Sequence, residues 1–124
     1  MIESYRDLIV WQKSIELVKM IYKLTRKLPK EEMYGISDQL RRCVVSIPSN
    51  IAEGEGRYNT KEYIHFLRIA RGSKNELETQ LIICEQIEYL NKDDIAAPLQ
   101  LSEEIGRMLN SLLTKLSDSQ SSDL

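Results

Sequence analysis

The chain has little of what small folds use to staple, bend or catalyse: two cysteines, three prolines, five glycines, one histidine, one tryptophan and one phenylalanine in 124 residues. Cys43 and Cys84 each fall on the apolar face of an expected helix and read as buried reduced thiols rather than a disulfide or a reactive pair. With His65 as the single histidine, no nucleophile–histidine constellation can be assembled, so an enzyme is the least supported class. Long hydrophobic runs are also missing. Nothing approaches the roughly 20 apolar residues of a membrane span, and Met1 to Lys13 mixes charged with apolar residues, unlike a secretion signal. A soluble cytoplasmic protein is therefore expected. At 42% hydrophobic, one domain of this length can bury a core without metal or disulfide.

What is present is helical period. Leu8, Trp11, Ile15, Val18 and Tyr22 mark one stripe of a first helix over about Asp7 to Lys27, stopped by Pro29, and Val10, Leu17, Met20, Ile21 and Leu24 widen it. Ile36, Leu40, Val44, Ile47 and Ile51 mark a second, about Ile36 to Glu53, with Ser37 as a candidate N-cap. Pro48 falls inside that run and predicts a kink or restart near Ile47, with Ser46, Ser49 and Asn50 bonding the freed backbone groups. Gly54 and Gly56 are expected to end the helix in a left-handed cap.

Asn59, with Glu62 three residues on, then opens a third helix over about Thr60 to Leu90. Its stripe is Tyr63, Phe66 or Leu67, Ala70, Ser73, Leu77, Leu81, Cys84 and Ile87. Ile64, Ile69, Ile82, Ile83 and Tyr89 lie off that stripe. Asn91 caps a fourth helix carrying Ile95, Leu99, Ile105, Leu109, Leu112 and Leu116, with Pro98 bending or delaying its first turns. Short connections join antiparallel neighbours, so the expected fold is all-α: an up-down-up-down four-helix bundle over residues 1–116, with 117–124 a disordered polar tail. The first and third helices carry more apolar surface than one bundle needs, and Trp11, Ile64 and Ile69 are the candidate interface residues of a homo-oligomer.

Ser46 to Arg57 (SIPSNIAEGEGR), the runs Phe66 to Ser73 and Glu76 to Leu81, and the spacing of Tyr5, Leu8, Val10 and Trp11 resemble the bacterial four-helix-bundle family of 23S rRNA intervening-sequence proteins. That resemblance implies a ring-shaped homopentamer without a settled biochemical activity. A related protein serves as accessory to the reverse transcriptase of diversity-generating retroelements, which adds a polymerase and nucleic acid as partner classes. Within the matching stretch, Pro48, Asn50, Glu53, Gly54 and Gly56 form a corner that is either a docking surface or a structural turn. The kink and turn already require these residue types, which favours the structural role.

Charge is unevenly divided. Residues 1–37 carry 7 basic and 5 acidic side chains, residues 38–74 carry 7 and 4, and residues 75–124 carry 3 and 10. On the third helix Lys61, His65, Arg68, Arg71 and Lys74 follow at four, three, three and three, one face of a helix. Arg57 and Tyr58 stand at the corner before it, and Arg41 and Arg42 of the second helix are candidates to lie beside it. Arginines with tyrosines suit phosphate contact and stacking on RNA or DNA bases. The competing role is a solvated face, or ion pairs to Glu76, Glu78, Glu85 and Glu88 of another copy. A dedicated nucleic-acid domain often has a pI above about 9, against about 5.5 here. Glu62 and His65 have the spacing of half a di-iron bundle site, but a full site needs two such motifs, so no metal and no cofactor is expected. The two function classes that remain are a nucleic-acid-binding accessory oligomer and a purely structural or protein-docking one.

Overall fold

The computed structural model describes residues 3–122, and it consists of four helices with two short 3-10 turns. A 3-10 turn at Tyr5–Asp7, capped by Ser4, leads into α1, Ile9–Thr25. A second 3-10 turn, Lys30–Glu32, links it to α2, Ile36–Glu55, which is followed by α3, Thr60–Gln86, and α4, Lys92–Ser122.

Consecutive helices pack side by side, α1 closes onto α4, and the diagonal pairs do not meet. Side-chain pairs fix the antiparallel register. Between α2 and α3, Ser46 meets Ser73 while Gly54 meets Tyr63 and Phe66. Between α3 and α4, Arg71 meets Asn110 and Glu78 meets Ser102. Between α1 and α4, Lys13 meets Glu104 and Lys27 meets Asp94. All four helices contribute to one core, in which Leu17, Ile21, Leu40, Val44, Ile47, Ile51, Leu67, Leu77, Leu81, Ile105 and Leu109 are fully buried.

Several local expectations are corrected. α2 does not restart at Pro48 and α4 is not delayed at Pro98: both prolines are buried inside continuous helices, where each removes one helical bond while flanking core residues hold the helix on both sides. Ser37 is inside α2 and buried; the N-cap is Gly35, which has no side chain to cap with. Gly56 is right-handed (φ −75°), and no glycine among the described residues has positive φ.

The left-handed cap falls instead at Glu88 (φ 67°), after α3. There the Tyr89 amide donates to the Cys84 carbonyl (2.9 Å) and the Glu88 amide to that of Glu85 (3.1 Å), the two bonds of a Schellman end. α4 has no breaker after Leu116 and continues to Ser122, past the expected start of the polar tail; positions 123–124 of that tail lie outside the described residues. Both asparagine caps form as expected. Asn59 Oδ1 accepts from the amides of Lys61 (2.8 Å) and Glu62 (3.3 Å), and Asn91 exchanges bonds with Asp94.

Candidate nucleic-acid interface

Gly54 positions the corner. A Cβ built there would stand 2.9 Å from Phe66 Cβ, 3.0 Å from Tyr63 Cδ1 and 3.2 Å from the Tyr63 carbonyl, so glycine is required by the close approach of α3 rather than by a turn. Further along the same seam Ser46 and Ser73 share a hydroxyl bond (2.8 Å), and the Cys43 thiol donates to the Ser73 carbonyl (2.9 Å). Asn50 Nδ2 donates back to the carbonyl (2.8 Å) and hydroxyl (2.9 Å) of Ser46. Burial, and next the nearby Glu76 carboxylate, push the Cys43 thiol up to about 12; burial, and next Glu55, push the Tyr63 phenol to about 12. Both groups are therefore held protonated, and neither is a nucleophile near neutrality.

The basic residues divide into two groups. Arg57 pairs with Glu53 and lays its guanidinium over the Phe66 ring (5.0 Å to the centroid). Arg71 Nη1 donates to Asn110 Oδ1 (3.0 Å). Lys74 keeps only 14% of its side chain exposed, pairs with Glu78 (2.9 Å), and lies against Gly106; Glu78 in turn accepts from the Ser102 hydroxyl (2.6 Å). The spacing of Lys74 and Glu78, four apart, was the available signal for this pair, while Ser102 and Gly106 could be placed only by the α3–α4 register.

The second group, Lys61, His65 and Arg68, is exposed on one face of α3 without an ion-pair partner among the described residues. His65 touches the edge of Phe66 (5.4 Å between ring centroids), and Tyr58 is fully exposed beside them in sequence. Arg68 and Arg71 line a cleft of about 350 Å³ against α4 that Asp118 also lines.

Arg41 and Arg42 do not join this face. The register sets Ser46 beside Ser73, so Arg42 lies nine residues up α2 from Ile51, the position level with Arg68, about 14 Å along the axis. Arg42 pairs with Asp38 (2.8 Å), and Arg41 donates to the Met33 carbonyl (3.0 Å).

The candidate interface residues also divide. Ile64 is 5% exposed and belongs to the protomer's own core, because the α3–α4 register carries the last turns of α4 alongside it. Trp11 is half-buried at the core edge, in a T-shaped contact with Tyr5 (5.2 Å). Ile69 is 39% exposed, and Ile82, Ile83 and Ile87 form a separate exposed apolar group at the far end of α3. Among the described residues no three potential metal ligands gather, and no helix is long and apolar enough to cross a membrane.

Fold and surface thus define a small antiparallel four-helix bundle with a tightly seamed corner and a partly basic, partly apolar outer helix face. The pattern of the 23S rRNA-intervening sequence protein family matches residues 6–111, and the chain belongs to that family. It is also similar to a crystal structure of a protein of unknown function from the S23 ribosomal protein family of Bacteroides thetaiotaomicron, at 29% identity and a TM-score of 0.79, covering 85% of this chain and 98% of that one. No curated protein matches.

Proposed function

We propose that the protein is a non-enzymatic accessory factor that self-associates through the outward apolar face of α3 and contacts RNA or DNA phosphates through its basic half. The observation that carries the nucleic-acid reading is the set Lys61, His65 and Arg68. These are exposed on one helix face with no ion-pair partner among the described residues, while the neighbouring Arg57 and Lys74 are paired within the chain. Cations paired in their own protomer have little to offer a ligand; unpaired ones on a shared face suit the widely spaced charges of a phosphate backbone. Exposed Ile82, Ile83 and Ile87 at one end of α3, with Ile69 further along it, support the association, because clustered apolar side chains in water are a common mark of an interface. Copies closed in a ring, five by the family resemblance, would join Lys61 and Arg68 of each chain, with His65 between them, into a belt. A polymerase such as a reverse transcriptase is the protein partner that the same resemblance supplies.

Filter binding of single-stranded RNA and DNA at two salt concentrations tests the nucleic-acid step. Affinity is expected to fall with salt and to be lost in Lys61→Glu/Arg68→Glu. Absence of binding at low salt, or binding indifferent to the double reversal, removes it and leaves a purely structural or protein-docking oligomer.

A further inference from the structure

Two rows of side chains, on helices that stand diagonally across the bundle, lie outside the core and carry opposite charge. On α3, Ile69, Gly72, Glu76, Ile83 and Ile87 follow at spacings of three, four, seven and four, which sets them on one outward face. All five are exposed. Residues 75–91, which hold the end of this row, carry four glutamates and no lysine or arginine. Glu78 pairs with Lys74, whereas Glu76, Glu85 and Glu88 have no ion-pair partner among the described residues.

On α1, Ile15, Lys19, Tyr22 and Arg26 follow at four, three and four, with Arg26 at the cap. Lys19, Tyr22 and Arg26 are exposed and Ile15 is half-buried, while Val10, Leu17, Ile21 and Leu24 supply the core from the other side of the helix. Residues 19–30 carry five cations and no acid. Lys27 pairs with Asp94, and the other four have no ion-pair partner among the described residues.

Gly72 adds an independent observation. A Cβ built there meets nothing within 4 Å, so no neighbour in the protomer requires glycine. Glycine inside a helix is destabilising relative to alanine, and the close approach of a second backbone would account for it. Isoleucines set among unpaired carboxylates repel a phosphate backbone and fit a partner that sets apolar side chains among cations. The chain itself carries that surface on α1.

We propose that the outward row of α3 in one copy docks on the α1 row of the next, with Ile83 and Ile87 against Ile15 and Tyr22 and the glutamates of residues 76–88 facing Lys19 and Arg26. The proposal rests on the reading that α3 is an association face, and it adds the surface that α3 meets. α1 and α3 do not touch, and their outward faces point away from each other across the bundle. Each copy therefore docks on one neighbour and receives another, a head-to-tail contact that closes into a ring where the rotation permits.

Sedimentation velocity of two variants at tens of micromolar, separately and mixed, tests the proposal. Ile83→Lys/Ile87→Lys removes the α3 face and Lys19→Glu/Tyr22→Glu the α1 face; all four positions are exposed, and helical circular dichroism checks each fold. Each variant alone is expected to sediment as a single 14.4 kDa chain. Their equimolar mixture should recover a species of twice that mass or more, because each supplies the face that the other lacks. Arg26→Glu, also exposed, repeats the α1 test should Lys19→Glu/Tyr22→Glu fail to fold, with the dissociation constant raised about tenfold or more. A wild type that associates, beside α1 variants that associate equally well, overturns the proposal and leaves association through α3 standing. A mixture in which both variants remain single chains does the same. A wild type that never associates overturns both readings.

Discussion

The two halves of α3 bury the same kind of side chain and expose different mixtures, cations in the first and isoleucines at the end of the second. Inward, Leu67 and Ala70 in the first half and Leu77, Leu81 and Cys84 in the second join one core. Outward, the first half shows Lys61, His65 and Arg68 with Ile69 beside them, and the end of the second shows Ile82, Ile83 and, at the cap, Ile87. The stability of one copy depends on the inward row. The outward contrast is not required by the bundle, so it is where interactions beyond the single chain should be sought.

If the inward rows are equivalent, Leu67→Ala and Leu81→Ala should each cost about 2–5 kcal/mol in urea unfolding, and a large disparity would break the symmetry. Gly54→Ala should cost about 1–3 kcal/mol, since its methyl meets Phe66 and Tyr63 at under van der Waals distance. A neutral result would mean that α3 shifts freely at the corner. At the opposite end of α3, Glu88→Gly should raise stability by about 1 kcal/mol, because glycine takes the left-handed cap without strain.

A pH series sharpens the first half further. Cys43 and Tyr63 have folded-state values raised to about 12 from ordinary ones of 9.0 and 10.0. A raised value favours the protonated, folded form, so their contribution is full below about pH 9 and is lost as the pH climbs towards 12. The unfolding midpoint should therefore fall across that window, and less steeply in Cys43→Ala/Tyr63→Phe. Smallest of all, Lys61→Glu/Arg68→Glu should change stability by no more than about 0.5 kcal/mol, as expected for exposed residues, while changing nucleic-acid affinity.

The helices, their order and both asparagine caps were legible because apolar period and capping chemistry are local. The prolines were only partly legible: the restart at Pro48 and the delayed start at Pro98 do not occur, because the packing of Val44, Ile47, Ile51, Ile95 and Leu101 outweighs the local preference. Gly54 read as a turn residue because the nearness of Phe66 is tertiary. Glu88 carries no glycine signal at all. At the candidate interface, spacing placed four cations and His65 on one face but not Asn110, Ser102 or Gly106 of α4, whose contacts separate Arg71 and Lys74 from the rest. Ile64 reads as surplus surface on α3 alone, and the packing of the neighbouring helices places it in the protomer's own core.

Sedimentation velocity of the wild type beside Ile82→Lys/Ile83→Lys addresses the outward face of α3 most directly. The wild type should sediment as a discrete multiple of the 14.4 kDa chain, and the variant as a single chain with an unchanged melting temperature. A wild type that stays at 14.4 kDa at tens of micromolar, with those isoleucines in water, would contradict the account.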